Sequence, residues 1–254
     1  MTGIDFVIAG ATRSATRVLS QILNAHPNVY MPEFDPKRKK RQTPMSYFDV
    51  TAQKGKKEAP KMLYGAWEDV AEECARYYPQ AKIIFNLRDP VTRAYSQYCK
   101  ASRDGKEQAE SFEKAIEEEM DGVRRPETTG KCWIYKSQYQ IHLDEWFSYF
   151  PREQILIFLM EEWIDNPEAG FVPLEEFLDL EKGSLSQAAQ KNTPAQSSSK
   201  GRRLVSFLDK LPIGMNAGDI PMKESTKEEL EDIFSVDKLY VTNVLGRDKI
   251  EAWS

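Results

Sequence analysis

Two arginine-bearing stretches of this 254-residue chain have the residue types and spacing to hold phosphate groups. The first is Gly10-Ala11-Thr12-Arg13-Ser14-Ala15-Thr16-Arg17, which follows the apolar run Phe6-Val7-Ile8-Ala9. A loop that leaves a strand and opens a helix presents unpaired N–H groups and the positive end of the helix dipole, so it attracts anions before any side chain is considered. Arg13 and Arg17 add cations there, and Ser14 and Thr16 add hydroxyl donors. The plainer reading is a strand-to-helix turn with Ser14 as N-cap. A nucleotide-kinase loop, GxxxxGK[ST], would need Gly-Lys where Ala15-Thr16 stand, so the Mg²⁺ apparatus of kinases is not implied.

The second stretch is Leu87-Arg88-Asp89-Pro90-Val91-Thr92-Arg93-Ala94-Tyr95-Ser96. Arg88 stands at the end of an apolar strand, where its guanidinium can fork onto a phosphate. Ser96 lies two helical turns further on and reaches the same ligand if that ligand leans along the helix. The competing reading is a strand-end Arg88 in a salt bridge with Asp89.

The elements that must position these residues are legible as runs. Phe6 to Ala9, Lys82 to Leu87 and Ile155 to Leu159 read as short buried strands. Val18, Leu19, Ile22 and Leu23 recur at helical spacing after the first loop, up to the stop at His26-Pro27. Pro90 suits the first turn of the helix after the second strand. Further helical patterns lie near 66–78, 111–122, 136–149, 167–180, 202–211 and 225–244. Strands alternating with helices predict one α/β domain over 1–254, with a central parallel sheet flanked by helices on both faces. Two segments read as long loops: 35–61, rich in lysine and proline, and 183–201, rich in Ser, Gln and Asn.

A net charge of −5 argues against a general nucleic-acid binder. Cys74, Cys99 and Cys132 are isolated and odd in number, so no disulfide framework is implied. His26 and His142 are far apart, and with no Cys pair nearby no metal site is read. The first apolar run begins within a few residues of the start, with no basic leader, and no stretch reaches the ~20 apolar residues of a membrane span. A cytoplasmic protein is expected.

Taken together the motifs resemble those of the sulfotransferases that use 3′-phosphoadenosine 5′-phosphosulfate (PAPS). The loop at 10–17, with His26-Pro27 beyond its helix, looks like their 5′-phosphosulfate loop. Arg13 stands where the cytosolic and heparan-sulfate branches have lysine, as in the tyrosylprotein branch; Ser14 and Thr16 match, and Arg17 matches the heparan-sulfate form. Ala15 replaces a glycine, which is tolerable if that residue is helical with negative φ. Arg88 and Ser96 resemble the family's pair for the 3′-phosphate. Tyr139, His142, Leu143 and Trp146, followed by Phe150-Pro151 and Gln154-Ile155, look like the helix leading to its last strand, with His142 and Trp146 read as packing residues. Lys200-Gly201-Arg202 is similar to an element that closes over the cofactor in heparan-sulfate sulfotransferases, and makes 183–201 a cofactor-closing loop.

The resemblance implies a P-loop-like fold that binds PAPS, releases adenosine 3′,5′-bisphosphate (PAP) and uses no metal. Ala11, Thr12, Arg13, Ser14, Ala15, Thr16, Arg17, Arg88, Ser96, Lys200, Gly201 and Arg202 are then the cofactor-binding residues. Arg13, Glu33 and Lys61 are the catalytic candidates, with Glu33 as base and Asp35 next in line. Pro44 falls where the family's glutamate block would otherwise place its base, and Lys61 is one position out of the family's register. The basic run Lys37-Arg38-Lys39-Lys40-Arg41 favours an anionic acceptor, its bland reading being a solvated loop. A carbohydrate hydroxyl is the leading acceptor class. A tyrosine or a small natural product is the alternative, as is a binding protein that has lost transfer.

Overall fold

The computed structural model describes residues 4–31, 57–58, 70–126, 131–191 and 221–253. The chain divides into two compact units, one formed by Met1–Leu87 with Glu145–Leu211, the other by Arg88–Asp144 with Pro212–Ser254.

The first unit holds the sheet. Strands β1 (Phe6–Gly10), β4 (Lys82–Leu87) and β5 (Ile155–Leu159) pair in parallel in the order β1-β4-β5. All three expected strands are present. Every residue of β1 is buried, as expected of a strand covered on both faces. Helix α1 (Thr16–Ala25) buries Val18, Leu19, Ile22 and Leu23, the stripe expected from the spacing. Strands β2 (Val29–Tyr30) and β3 (Lys57–Glu58) form a separate parallel pair, and α2 (Val70–Tyr77) precedes β4.

After β5 the chain makes three short helices rather than the one expected near 167–180: α6 (Met160–Asp165), α7 (Pro167–Gly170) and α8 (Val172–Phe177). Asn166 breaks the run, its side chain accepting from Ala169 N–H at 3.3 Å to start α7. A Cβ on Gly170 would lie 2.3 Å from the Cα of Trp163, so this crossing requires glycine. The segment expected to be a loop from 183 instead begins as helix α9 (Ser184–Lys191). Its polar composition hides an apolar stripe, Leu185, Ala188 and Ala189, that is buried. The carboxylate of Glu175 accepts from Gly183 N–H and Leu185 N–H, each at 2.7 Å, and so caps this helix. The remainder of that loop, the basic segment at 35–56 and 59–61, and the helix expected at 202–211 lie outside the described residues.

The second unit is helical: α3 (Pro90–Arg103), α4 (Phe112–Met120), the first turns of α5 (Tyr139–Tyr149), and α10 (Glu224–Val244). Tyr95, Phe112, Ile116, Trp133, Leu230 and Phe234 form its core. Buried polar groups tie its loops. Arg93, fully buried, donates to Ser137 Oγ at 2.6 Å and to the Trp133 carbonyl at 2.9 Å. Arg124 grips both oxygens of Glu107 at 2.8 and 2.9 Å.

The three cysteines are buried and none forms a disulfide bond with another. Among the described residues no helix is long and apolar enough to cross a membrane, and no group of three or more His, Cys, Asp or Glu side chains is placed to hold a metal ion.

Candidate active site

The candidate phosphate loop joins β1 to α1 and starts beside the end of the adjacent parallel strand β4. Gly10 stands opposite Phe85, and Ala11 N–H donates to the Asn86 carbonyl at 2.9 Å, so the loop starts pinned to β4. Helix α1 then begins at Thr16 with Ala15 as N-cap and no side chain capping it. Ser14 is therefore not the N-cap. Helix geometry leaves the N–H groups of Thr16, Arg17 and Val18 without intrahelical acceptors. Thr16 is buried, Ala11, Thr12, Arg13 and Ala15 are half-buried, and Arg17 is exposed on the first turn.

Ala15 has φ 53° and ψ 22°, a left-handed conformation and not the negative φ expected of it. Arg13 has φ 71°. A side chain in this region costs roughly 1–2 kcal/mol, and such strain persists where surrounding contacts over-determine the backbone. The loop must turn sharply between β1 and α1, and it does so with side chains where glycine would serve at lower cost.

Those contacts centre on Asn86, which neither the apolar strand pattern nor the motifs singled out. It is fully buried in β4. Its side-chain amide donates to the Ser14 carbonyl, and its side-chain oxygen accepts from Trp163 Nε1 at 3.1 Å. Trp163 is itself fully buried, stacked on Phe171 with ring centroids 5.2 Å apart, beneath the Gly170 crossing. In the resulting loop the Ser14 hydroxyl is buried and has no hydrogen-bond partner among the described residues. A buried hydroxyl without a partner is costly unless a ligand supplies one. Together with the helix N-terminus that follows it and the arginines on either side in sequence, Arg13 and Arg17, this donor suits a phosphate or sulfate oxygen.

At the end of α1, His26 is buried, and its Nδ1 accepts from Asn28 N–H at 3.1 Å. Burial holds its pKa below the usual histidine value, against the nearby Glu175 and Glu181 carboxylates. His26 is a neutral hinge for the turn into β2.

In the second unit, Arg88 and Ser96 are both buried, on the residues leading into α3 and on α3 itself. Arg88 Nε donates to Thr92 Oγ1 at 3.0 Å, and the Arg88 carbonyl accepts from Tyr139 Oη at 2.7 Å. Asp89 is committed elsewhere. One carboxylate oxygen accepts from Thr92 N–H at 2.8 Å and caps α3; the other pairs with Lys238 on α10 at 2.9 Å. Asp89 is thus tied to the first turn of α3 and to Lys238.

His142 and Trp146 are buried packing residues, as expected. His142 Nε2 donates to the Tyr135 carbonyl at 3.0 Å, and Trp146 meets Phe85 edge-on at 5.7 Å and stacks on Phe150. Glu33, Lys61, Lys200, Gly201 and Arg202 lie outside the described residues.

The described strands and helices form an α/β fold built on a parallel sheet. Residues 4–206 match the sulfotransferase domain family, and the chain belongs to it. Over 188 residues it is 26% identical to heparan sulfate glucosamine 3-O-sulfotransferase 5 of Mus musculus, covering 68% of this chain and 53% of that protein. Over 192 residues it is 26% identical to carbohydrate sulfotransferase 15 of Homo sapiens, covering 70% of this chain and 32% of that one. The chain thus spans about half, or less, of the length of these relatives. Among solved structures, a sulfotransferase from Alicyclobacillus acidocaldarius superposes with a TM-score of 0.71 at 20% identity, covering 100% of this chain and 99% of that one. Mouse sulfotransferase SULT7A1, solved in complex with PAP, gives 0.59 at 13% identity, covering 94% of this chain and 86% of that one.

Proposed function

We propose that this chain transfers a sulfuryl group from PAPS to a hydroxyl of a carbohydrate. The observation that carries the reading is the Ser14 hydroxyl, buried without a partner among the described residues, in a loop braced by Asn86 and with Arg13 and Arg17 on either side in sequence. Membership of the family supports it, and the glycan-directed names of the curated relatives favour a carbohydrate acceptor over a tyrosine.

In this reading the loop 11–17 holds the 5′-phosphosulfate, Arg88 and Ser96 hold the 3′-phosphate, and Lys200-Gly201-Arg202 closes over the nucleotide. The acceptor oxygen attacks sulfur as the bond from sulfur to the bridging phosphate oxygen breaks, and that oxygen keeps the electron pair. Arg13 and the loop N–H groups stabilise the charge that grows there. Glu33 takes the proton from the acceptor hydroxyl. Lys61 stands as a second cation for the transferred group, and Lys37-Arg38-Lys39-Lys40-Arg41 attracts an anionic acceptor.

The test is incubation with ³⁵S-labelled PAPS and three acceptor types: a heparan-type glycan, a tyrosine-containing peptide and small hydroxyl compounds. Label transferred to the glycan supports the full reading, and label on the peptide alone corrects the acceptor class. PAP should raise the melting temperature well above the shift given by AMP, through linkage of binding to folding. Equal shifts would remove the 3′-phosphate assignment.

A further inference from the structure

The family match ends at residue 206, yet helix α10 and the turn after it reach into the Arg88–Asp89 segment. Lys238 Nζ lies 2.9 Å from Asp89 Oδ2 and 2.9 Å from the Trp253 carbonyl, and it also pairs with Glu231. The buried Trp253 packs on the Tyr139 ring at 6.0 Å, and Tyr139 Oη holds the Arg88 carbonyl at 2.7 Å. The dipeptide before α3 is thus gripped on its backbone by Tyr139 and on its acidic side chain by Lys238.

The electrostatic consequence follows from sequence adjacency. Asp89 is buried beside Arg88, and an uncompensated carboxylate there would compete for the guanidinium and repel an incoming dianion. Resting on the reading of Arg88 as a 3′-phosphate ligand, we infer that Lys238 is a positioning residue for that phosphate: it neutralises Asp89 and keeps the field at Arg88 positive. The C-terminal helix is then part of the nucleotide-recognition apparatus and not an accessory to the fold. One uncompensated carboxylate beside the phosphate ligand weakens binding of the phosphate on the order of tenfold.

The experiment measures PAP and AMP affinity, by calorimetry, for the full chain and four variants. Lys238→Met should lower PAP affinity about tenfold and leave AMP affinity nearly unchanged, whereas a general loss of structure lowers both. Lys238→Arg should retain the preference. Asp89→Asn in the Lys238→Met background should restore PAP affinity, because asparagine keeps the cap on α3 and removes the charge. Arg88→Ala separates the two readings. If it abolishes the PAP preference while Lys238→Met leaves it intact, the role of Lys238 is overturned and the phosphate reading stands. If Arg88→Ala leaves the preference intact, both fall. Should Lys238→Met not fold, Asp89→Asn alone carries the test: PAP affinity rises if Asp89 opposes the phosphate, and an unchanged value overturns the inference.

Discussion

The side-chain amide of Asn86 donates to the Ser14 carbonyl across 72 residues of sequence, while its oxygen takes the indole N–H of Trp163. One buried residue of the central strand therefore ties the loop at 11–15 to the sheet. Asn86→Leu keeps the branched outline but strands the Trp163 N–H and the Ser14 carbonyl. The loss should be about 1–3 kcal/mol in urea denaturation, with PAP giving a much smaller melting-temperature shift than in the parent chain. A variant that loses stability yet keeps the full PAP shift would confine Asn86 to the core.

Ala15→Gly should stabilise the chain. The left-handed φ of 53° is strained for alanine and free for glycine. Glycine's larger unfolded-state entropy opposes the gain by about 0.4–1 kcal/mol, so the net is an increase of up to about 1 kcal/mol. Chemical denaturation measures it, and destabilisation would show that the alanine methyl packs usefully.

Acid should attack the second unit at Glu107. Burial alone would raise its carboxyl, but the Arg124 fork and the N–H groups of Ala109 and Gln108 outweigh that and hold it below the usual carboxylate range. The unfolded chain then binds the proton more readily, so this contribution is complete above the ordinary glutamate value of about 4.3 and is lost as pH falls below it. Glu107→Gln should lower stability at neutral pH by about 3 kcal/mol and flatten the acid limb of the stability profile. An unchanged acid limb would assign it to other carboxylates.

Chemistry should separate from binding at Glu33 and Arg13. Glu33→Gln should bind PAP normally and lose roughly 10²–10⁴-fold in kcat, the usual worth of a general base. Arg13→Lys should keep partial activity, since a point charge remains but the fork does not. Near-normal turnover in Glu33→Gln would move the base to Asp35 or to the acceptor itself.

The sheet was legible because parallel strands buried on both faces read as bare apolar runs, and Phe6 to Gly10, Lys82 to Leu87 and Ile155 to Leu159 do so. The loop at 10–17 and the packing of His142 and Trp146 were legible for similar local reasons. Asn86 was not, because a single polar residue inside an apolar strand reads as an interruption until its partners, 72 and 77 residues away, are known. The sign of φ at Ala15 had no signal, since the residue type argues against the conformation it adopts. Lys238 was hidden among the acidic and basic residues of α10, where only tertiary contact distinguishes an ion pair with Asp89 from a solvated charge. Helix α9 was lost behind Ser and Gln, which composition assigns to loops.

The core of the second unit has a temporal consequence. Phe112 and Trp133 are covered by Leu230 and Phe234, which come from the far end of the chain. About 100 residues separate Trp133 from Phe234, so at roughly 5–20 residues per second the ribosome delivers the missing half about 5–20 s late. Within that interval the last strand of the first unit, β5, is completed, while an aromatic surface waits uncovered. Nascent chains halted before α10 should therefore be the species that chaperones hold and proteases cut.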